Sequence, residues 1–277
     1  MCQEEKKCKE CKECTGCPEC KIDDSGVFQQ DCEKCQNCKD CENCKDCEKQ
    51  NRQEKCNQCK GNMHDRSDFK VIKTRLEEGN KRFRENTPIH PNQSRKRREC
   101  TAKKGQKPFA IVLSCADSRV PPELVFDTGI ADLFVVRVAG NIANISSIAS
   151  IEFAVAALGC RYILVLGHEG CGAVKAAMSK DPAPSDNLSQ LVGHILPAVN
   201  ACKCSCKAEN DDYYTIAEGE KEPLKKVTIE NVFHSANELT RCSEIIRNAV
   251  NSGNVKIQPA YYNLGKGKVD FDIKSEC

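Results

Sequence analysis

The chain has 277 residues, which corresponds to about two domains, and a formal net charge of +2, which argues neither for nor against a nucleic-acid partner. No stretch approaches the roughly 18 to 20 consecutive apolar residues of a membrane span, and the N-terminus "MCQEEKKCKE" lacks the apolar region of a signal peptide. We therefore expect a cytoplasmic protein with no membrane partner, and in a reducing compartment a dense cysteine pattern indicates metal binding before disulfides.

Cysteine sets residues 1–62 apart from the rest of the chain. This segment holds 14 of the 23 cysteines, and every interval between them is a multiple of three, as in "CEKCQNCKDCENCKDC". Its few other apolar side chains cannot build a core, which predicts a largely irregular first region. An extended chain would hold successive thiols about 9 Å apart, so a shared metal ion would require turns. Three hypotheses stay open: zinc or another soft metal, disulfides or redox sensing, and a tail without fixed ligands.

Helical spacing begins near residue 67. In "SDFKVIKTRLEEGNKRFREN" the apolar residues from Phe69 to Phe83 recur at helical intervals, and Ser67 or Asp68 can cap the start. The next segment, "PNQSRKRRECTAKKGQKP", is predicted to be a solvated loop. No aromatic residues interleave its basic cluster, so we predict no nucleic-acid partner.

Short apolar strands then alternate with helical segments. Strands are predicted at Phe109–Ser114, Leu133–Val138 and Tyr162–Leu166, with the short segment "PPELVFD" and the helix "SSIASIEFAVAALG" between them. This alternation predicts an α/β fold with a mostly parallel central sheet flanked by helices.

The remaining elements complete one predicted domain over residues 63–277. We expect a helical region over Asp186–Asn200, a polar insertion near residues 201–225, and a long helix over Val227–Val250. The insertion contains "CKCSC", a smaller cysteine cluster of uncertain role. The final "VKIQPAYYNLGKGKVDFDI" predicts two strands around a turn that contains glycine.

Two predicted strand ends carry potential metal ligands. Cys115 follows the first strand in "SCADSR", and "GHEGCG" after the third strand supplies His168 and Cys171. Ligands gather where parallel strands end, and three Cys and His ligands leave zinc a fourth position for water. A lone cysteine at a strand end is more often a small buried apolar residue, and Asp117 with Arg119 could be a structural ion pair. Their joint placement favours a catalytic metal site.

These residues also carry a family resemblance. The stretches "AIVLSCADSRVPPELVFD", "DLFVVRVAGN", "SIEFAVAALG" and "LVLGHEGCGAVKAA" resemble the β-class carbonic anhydrases, whose signature combines C-x-D-x-R with H-x-x-C. The resemblance implies that Cys115, His168 and Cys171 bind one catalytic zinc ion per subunit and that Asp117 and Arg119 form the catalytic dyad. It implies reversible hydration of carbon dioxide to bicarbonate and a proton by attack of zinc-bound hydroxide, in a homodimer or a dimer of dimers.

Several assignments stay open beside this reading. Gly172 could offer a backbone N–H to a substrate oxyanion, or it could serve only the close packing of a helix on a strand. Arg137 and Asn141 match family positions, although each could be structural. Hydrolysis of carbonyl sulfide or carbon disulfide on the same fold is an alternative function, as is metal storage by the cysteine repeat beside an inactive domain.

Overall fold

The computed structural model describes residues 68–179, 181–205 and 222–277. The cysteine repeat at residues 1–62 lies outside these residues, so the three hypotheses about it remain predictions. Cys206 and the side chain of Cys204 also lie outside the described part of the chain.

A five-stranded sheet forms the centre of the described region. Its spatial order is β2-β1-β3-β4-β5, in which the first four strands are parallel and the last is antiparallel. The predicted mostly parallel α/β fold is thereby confirmed, and so are the two C-terminal strands. The strands are β1 (Ala110–Ser114), β2 (Leu133–Arg137), β3 (Tyr162–His168), β4 (Lys256–Asn263) and β5 (Lys268–Asp270).

Helices precede the first strand and connect the parallel strands that follow. A 3₁₀ turn at Ala139–Asn141, called the glycine turn below, follows β2. None of the helices in the described residues is long and apolar enough to cross a membrane. The helices are α1 (Phe69–Arg84), α2 (Arg95–Lys104), α3 (Pro122–Val125), α4 (Ile145–Ala156), α5 (Gly172–Met178), α6 (Asp186–Gly193), α7 (Leu196–Ser205), α8 (Glu222–Cys242) and α9 (Glu244–Asn251).

The two central strands are buried on both faces, as the apolar sequences of β1 and β3 predict. Successive side chains of a strand point to opposite faces. Leu164 therefore packs in a core with Leu76 of α1, whereas Ile163 packs in a second core with Ile151 of α4 and Val232 of α8. Helices thus cover both faces of the sheet, and the strand ends remain available for a site.

The predicted loop at residues 91–108 is wrong, because α2 forms within it. Ser94 caps this helix by accepting a hydrogen bond from the Arg97 N–H at 3.1 Å. The buried Arg97 donates to the Ile130 carbonyl at 2.9 Å and lies 3.7 Å from the Asp132 carboxylate. A charged residue therefore anchors this helix. Its sequence has no apolar periodicity from which a helix could have been predicted.

One predicted helical region and one predicted long helix each contain two helices in the structure. The region Asp186–Asn200 contains the end-to-end pair α6 and α7, and the long helix predicted over Val227–Val250 is broken at Ser243. The Ser243 side chain accepts a hydrogen bond from the Ile246 N–H at 3.1 Å and so begins a new helix. Helix α7 continues to Ser205 and α8 begins at Glu222, and the polar insertion near residues 201–225 stays a prediction.

The buried Asp127 is expected to make stability depend on acid pH. Burial opposes its ionisation, but the Arg82 guanidinium and the N–H groups of Ile89 and His90 outweigh burial and lower its pKa. A lowered folded-state pKa stabilises the fold fully above the unfolded pKa of about 3.9, and this stabilisation is lost as the pH falls. Asp127→Asn should lower the unfolding free energy at pH 7 by roughly 2–3 kcal/mol, with a smaller difference near pH 3.

Urea unfolding at the two pH values checks this expectation. Glu99→Gln is the control, because Glu99 is exposed and pairs with Arg95 one helical turn away, and its effect should stay within about 0.5 kcal/mol. A difference for Asp127→Asn that does not shrink in acid would contradict the ion-pair account.

Candidate metal centre

Two neighbouring strands bring three ligand side chains to one edge of the sheet. β1 and β3 pair in parallel, with Ser114 opposite Leu166, so both strands end at the same side. Cys115 follows β1, His168 is the last residue of β3, and Cys171 is the N-cap of α5. Their ligand atoms all lie within 4.8 Å of one another, and the three side chains are buried. The sequence predicted this grouping from the strand ends.

His168 presents its Nε2 atom to this group. Its Nδ1 atom lies 2.9 Å from the Glu169 carbonyl oxygen, which can only accept, so Nδ1 carries the proton. The Nε2 atom is then an acceptor, and among the described residues it is buried without a hydrogen-bond partner. A buried nitrogen lone pair without a donor is costly, and a metal ion would satisfy it.

The two thiols differ in their tendency to ionise. A hydrogen bond from Cys171 is the largest influence on Cys115, and with N–H donors from Asp117 at 3.4 Å and Gly140 at 3.3 Å it lowers the pKa of Cys115 against the opposing effect of burial. The same hydrogen bond and burial raise the pKa of Cys171. A nitrogen atom and two sulfur atoms form a donor set that fits zinc.

Asp117 and Arg119 form a two-point ion pair beside the buried group. Arg119 Nε donates to Asp117 Oδ1 at 2.9 Å, and its Nη2 donates to Oδ2 at 2.7 Å. This pairing holds the pKa of Asp117 well below its usual range. Asp117 Oδ2 also lies 4.0 Å from His168 Nε2, and the Arg119 side chain is 56% exposed. The carboxylate therefore lies between the buried ligands and a solvent-facing guanidinium.

Arg137 and the glycine turn hold the Cys115 segment in place. Arg137, the last residue of β2, donates from Nε to the Cys115 carbonyl at 2.9 Å and from Nη2 to the Asp117 carbonyl. Gly140 has a φ of 73°, and a Cβ atom there would lie 2.7 Å from Ile195 Cδ1. Sequence reasoning missed the role of Gly140, although "VRVAGN" after a strand was a visible signal for a tight turn.

The remaining sequence candidates have different surroundings. Gly172 begins α5, and no atom of residues 68–179, 181–205 or 222–277 lies within 4 Å of a Cβ added there, so close packing against these residues does not explain this glycine. Its contact with substrate stays a prediction. Asn141 is fully buried in the glycine turn, and neither of its side-chain amide atoms has a hydrogen-bond partner among the residues that the structure describes. Asn141 is not among the three grouped ligands.

An apolar cluster and a disulfide border the ligand group. Ile142, Val174 and Ile195 pack in the same core cluster as Cys115 and Cys171. The cluster also contains Cys202 of α7, which forms a disulfide with Cys277 across a Cα separation of 4.5 Å. Cys202 is therefore not a free thiol of the smaller cysteine cluster, contrary to the expectation for a reducing compartment.

Comparison with known sequences places residues 110–269 in the family described as carbonic anhydrase. Carbonic anhydrase 2 of Mycobacterium tuberculosis is 44% identical over 127 residues, which cover 45% of this chain and 61% of the relative. The chain thus spans less than two thirds of that relative. The carbonic anhydrase of Mycolicibacterium smegmatis is 34% identical over 199 residues, which cover 71% of this chain and 89% of the relative.

Solved structures agree with the sequence matches. The β-carbonic anhydrase CcaA aligns with a TM-score of 0.53 at 27% identity over 72% of this chain and 86% of that protein. The Coccomyxa β-carbonic anhydrase, solved with acetazolamide, aligns with a TM-score of 0.53 at 25% identity over 64% of this chain and 81% of that protein. With the family match, the paired strand ends and the Cys-His-Cys group, these alignments show that the chain belongs to the β-carbonic anhydrase family.

Proposed function

We propose that this protein catalyses the zinc-dependent, reversible hydration of carbon dioxide to bicarbonate and a proton. The observation that carries the proposal is the buried group of Cys115, His168 and Cys171 with an unpartnered His168 Nε2, next to the ion-paired Asp117. Curated carbonic anhydrases are its sequence relatives, and the donor set fits the metal.

The three grouped side chains would hold the zinc ion. Bound there, zinc supplies a Lewis acid that makes a coordinated water acidic enough to lose its proton near neutral pH. The Glu169 carbonyl fixes the His168 tautomer that leaves Nε2 available. The N–H groups of Gly140 and Asp117 point at Cys115 Sγ and favour its thiolate form.

Asp117 would orient the attacking oxygen atom. An ionised carboxylate can only accept hydrogen bonds, so an O–H group at this place must donate to it and turn a lone pair away, toward carbon dioxide. Arg119 keeps Asp117 ionised and fixes its rotation through two side-chain hydrogen bonds and one from its backbone N–H at 2.9 Å. The partly exposed Arg119 also attracts the bicarbonate anion to the mouth of the site.

The proposal is tested with the full chain and with residues 63–277, which we propose as the catalytic domain. Stopped-flow hydration with a pH indicator should give equal rates for the two, and the shorter chain should contain about one zinc ion. A second series supplies carbonyl sulfide and carbon disulfide. Turnover of either without carbon dioxide hydration would favour the alternative hydrolase, and zinc bound without any turnover would favour metal storage.

Residues 1–62 enter the same experiment as a separate question. Extra zinc in the full chain, with unchanged turnover, would assign additional zinc or soft metals to the cysteine repeat. An inactive shorter chain would instead show that the repeat takes part in catalysis. The cytoplasmic location inferred from the sequence also remains part of the proposal.

We further propose a homodimer, or a dimer of dimers, as the functional assembly. Strand β2 is an edge of the described sheet, and its side chains are incompletely buried. Beside it, Phe153 and Ile145 of α4 are 54% and 85% exposed, and the Phe153 ring lies 6.4 Å from that of Phe134 in β2. This apolar surface at the β2 edge is where a second copy would pack.

Phe153→Asp should therefore convert dimers into monomers at micromolar concentration, measured by size-exclusion chromatography with light scattering. Leu188→Asp on α6 is the matched control, because Leu188 is 44% exposed and belongs to a different helix. A dimer that survives Phe153→Asp would place the interface elsewhere.

A further inference from the structure

The glycine turn receives a hydrogen bond from a side chain far away in the sequence. Asn231 of α8 donates from Nδ2 to the Gly140 carbonyl oxygen at 2.8 Å, and Asn231 is fully buried. Gly140 in turn donates its N–H to Cys115 Sγ at 3.3 Å. Gly140 thus links the side-chain amide of Asn231 to Cys115, a proposed zinc ligand, through two hydrogen bonds.

The turn needs such an anchor because its central residue is glycine. The φ of 73° at Gly140 is a conformation that favours glycine over residues with a side chain, yet glycine has the freest backbone of all residues. Rotation of the Gly140 backbone would move its N–H away from the sulfur atom. A buried carbonyl without a donor would favour such a rotation, and the Asn231 amide removes that tendency.

Burial of the asparagine has a cost that the fold alone does not explain. Asn231 Oδ1 has no hydrogen-bond partner in the described part of the chain, where only the other end of this buried amide is satisfied. A leucine of similar size would avoid that cost but could not donate to Gly140. The bond that the amide does make is the bond to the glycine turn.

We infer that Asn231 is a positioning residue for the metal centre, which holds Gly140 so that its N–H donates to the sulfur atom of Cys115. This inference rests on the proposed ligand set. Asn231 acts through the glycine turn and is not assigned a contact with metal or substrate. Metal ligands whose hydrogen-bonding partners are lost typically bind about 10- to 100-fold more weakly.

The test measures zinc affinity by competition with a chromophoric chelator in the full chain. Zinc bound by the Cys171→Ala variant is subtracted, because that variant lacks the proposed site but keeps the cysteine repeat. Asn231→Leu should weaken site-specific zinc binding by roughly tenfold or more. The cobalt-substituted variant should also show a shifted thiolate-to-cobalt absorption band, which a loss of general stability would not produce.

Two further variants keep the test decisive. Asn231→Ser cannot reach Gly140 and should weaken zinc binding in the same way if the leucine variant does not fold. Thr228→Val is the matched control, because the buried Thr228 hydroxyl bonds within α8, to the Leu224 carbonyl at 2.7 Å. Its zinc affinity should stay within about twofold of wild type.

The outcomes separate this inference from the proposed function. A wild-type chain without site-specific zinc would contradict the proposed function. Zinc bound equally tightly by wild type and by the Asn231 variants would contradict only the positioning role. Equal losses in Thr228→Val and Asn231→Leu would also overturn it, since they would reflect general loosening of α8.

Discussion

Cys171→Ala is expected to abolish both the site's zinc and carbon dioxide hydration. Cys171 is fully buried as the N-cap of α5, and its sulfur atom lies within 4.8 Å of the other two ligand atoms. With one thiol removed, only two protein ligands remain, and zinc sites with catalytic function use three. The hydration rate should fall by at least about 10³-fold, and the chain should hold about one zinc ion less than wild type.

Cys160→Ala separates loss of a ligand from loss of a buried cysteine. Cys160 is also a buried thiol, but it lies in the core cluster of Ile151 and Ile163, away from the ligand group, where it donates to the Pro108 carbonyl. This control should keep its zinc and its turnover while losing about 1 kcal/mol of stability. Turnover that survives in Cys171→Ala would refute the ligand assignment.

Asp117→Asn is expected to leave zinc in place while turnover falls by about 10²- to 10³-fold. The substitution keeps the size of the side chain but removes its charge and the ion pair with Arg119. The asparagine amide can also donate hydrogen bonds, whereas the carboxylate only accepts them. Stopped-flow hydration and metal analysis of the same sample would measure the two properties. An Asp117→Asn variant with wild-type turnover would show that Asp117 only supports the structure.

Arg119→Lys provides a graded comparison for the same pair. Lysine keeps the positive charge but cannot form the two parallel bonds that Arg119 makes, so we expect an intermediate loss of about tenfold. Because the ion pair lowers the pKa of Asp117, this carboxylate stays ionised throughout the neutral range. The usual pKa of an aspartate is itself about two units below pH 6. A decline of activity between pH 8 and pH 6 would therefore arise from a group other than Asp117.

The sequence was sufficient to predict the elements whose signal is local. β1 and β3 were predicted to within about two residues, because buried parallel strands are short apolar runs that differ from everything around them. The three proposed ligands follow from the same reasoning, since Cys115, His168 and Cys171 stand at the ends of those strands. The end of a buried strand can be located from a single sequence.

Features that depend on distant contacts were not predictable in this way. Helix α2 has no apolar face, and its anchor, Arg97, is defined by a carbonyl group 33 residues away. Asn231 acquires its role from Gly140, 91 residues earlier in the chain, and nothing in its own helix indicates that partner. The break at Ser243 has a local signal, a capping serine, but the helical pattern on both sides of it was stronger.

The disulfide between Cys202 and Cys277 closes the last part of the chain into a covalent ring with a sequence separation of 75 residues. Helix α8 with Asn231 and the strands β4 and β5 all belong to this ring. Closing so long a loop restricts the unfolded chain, which the chain-entropy treatment values at about 4 kcal/mol. A protease that cut the backbone anywhere within the ring would therefore nick the protein without releasing either fragment.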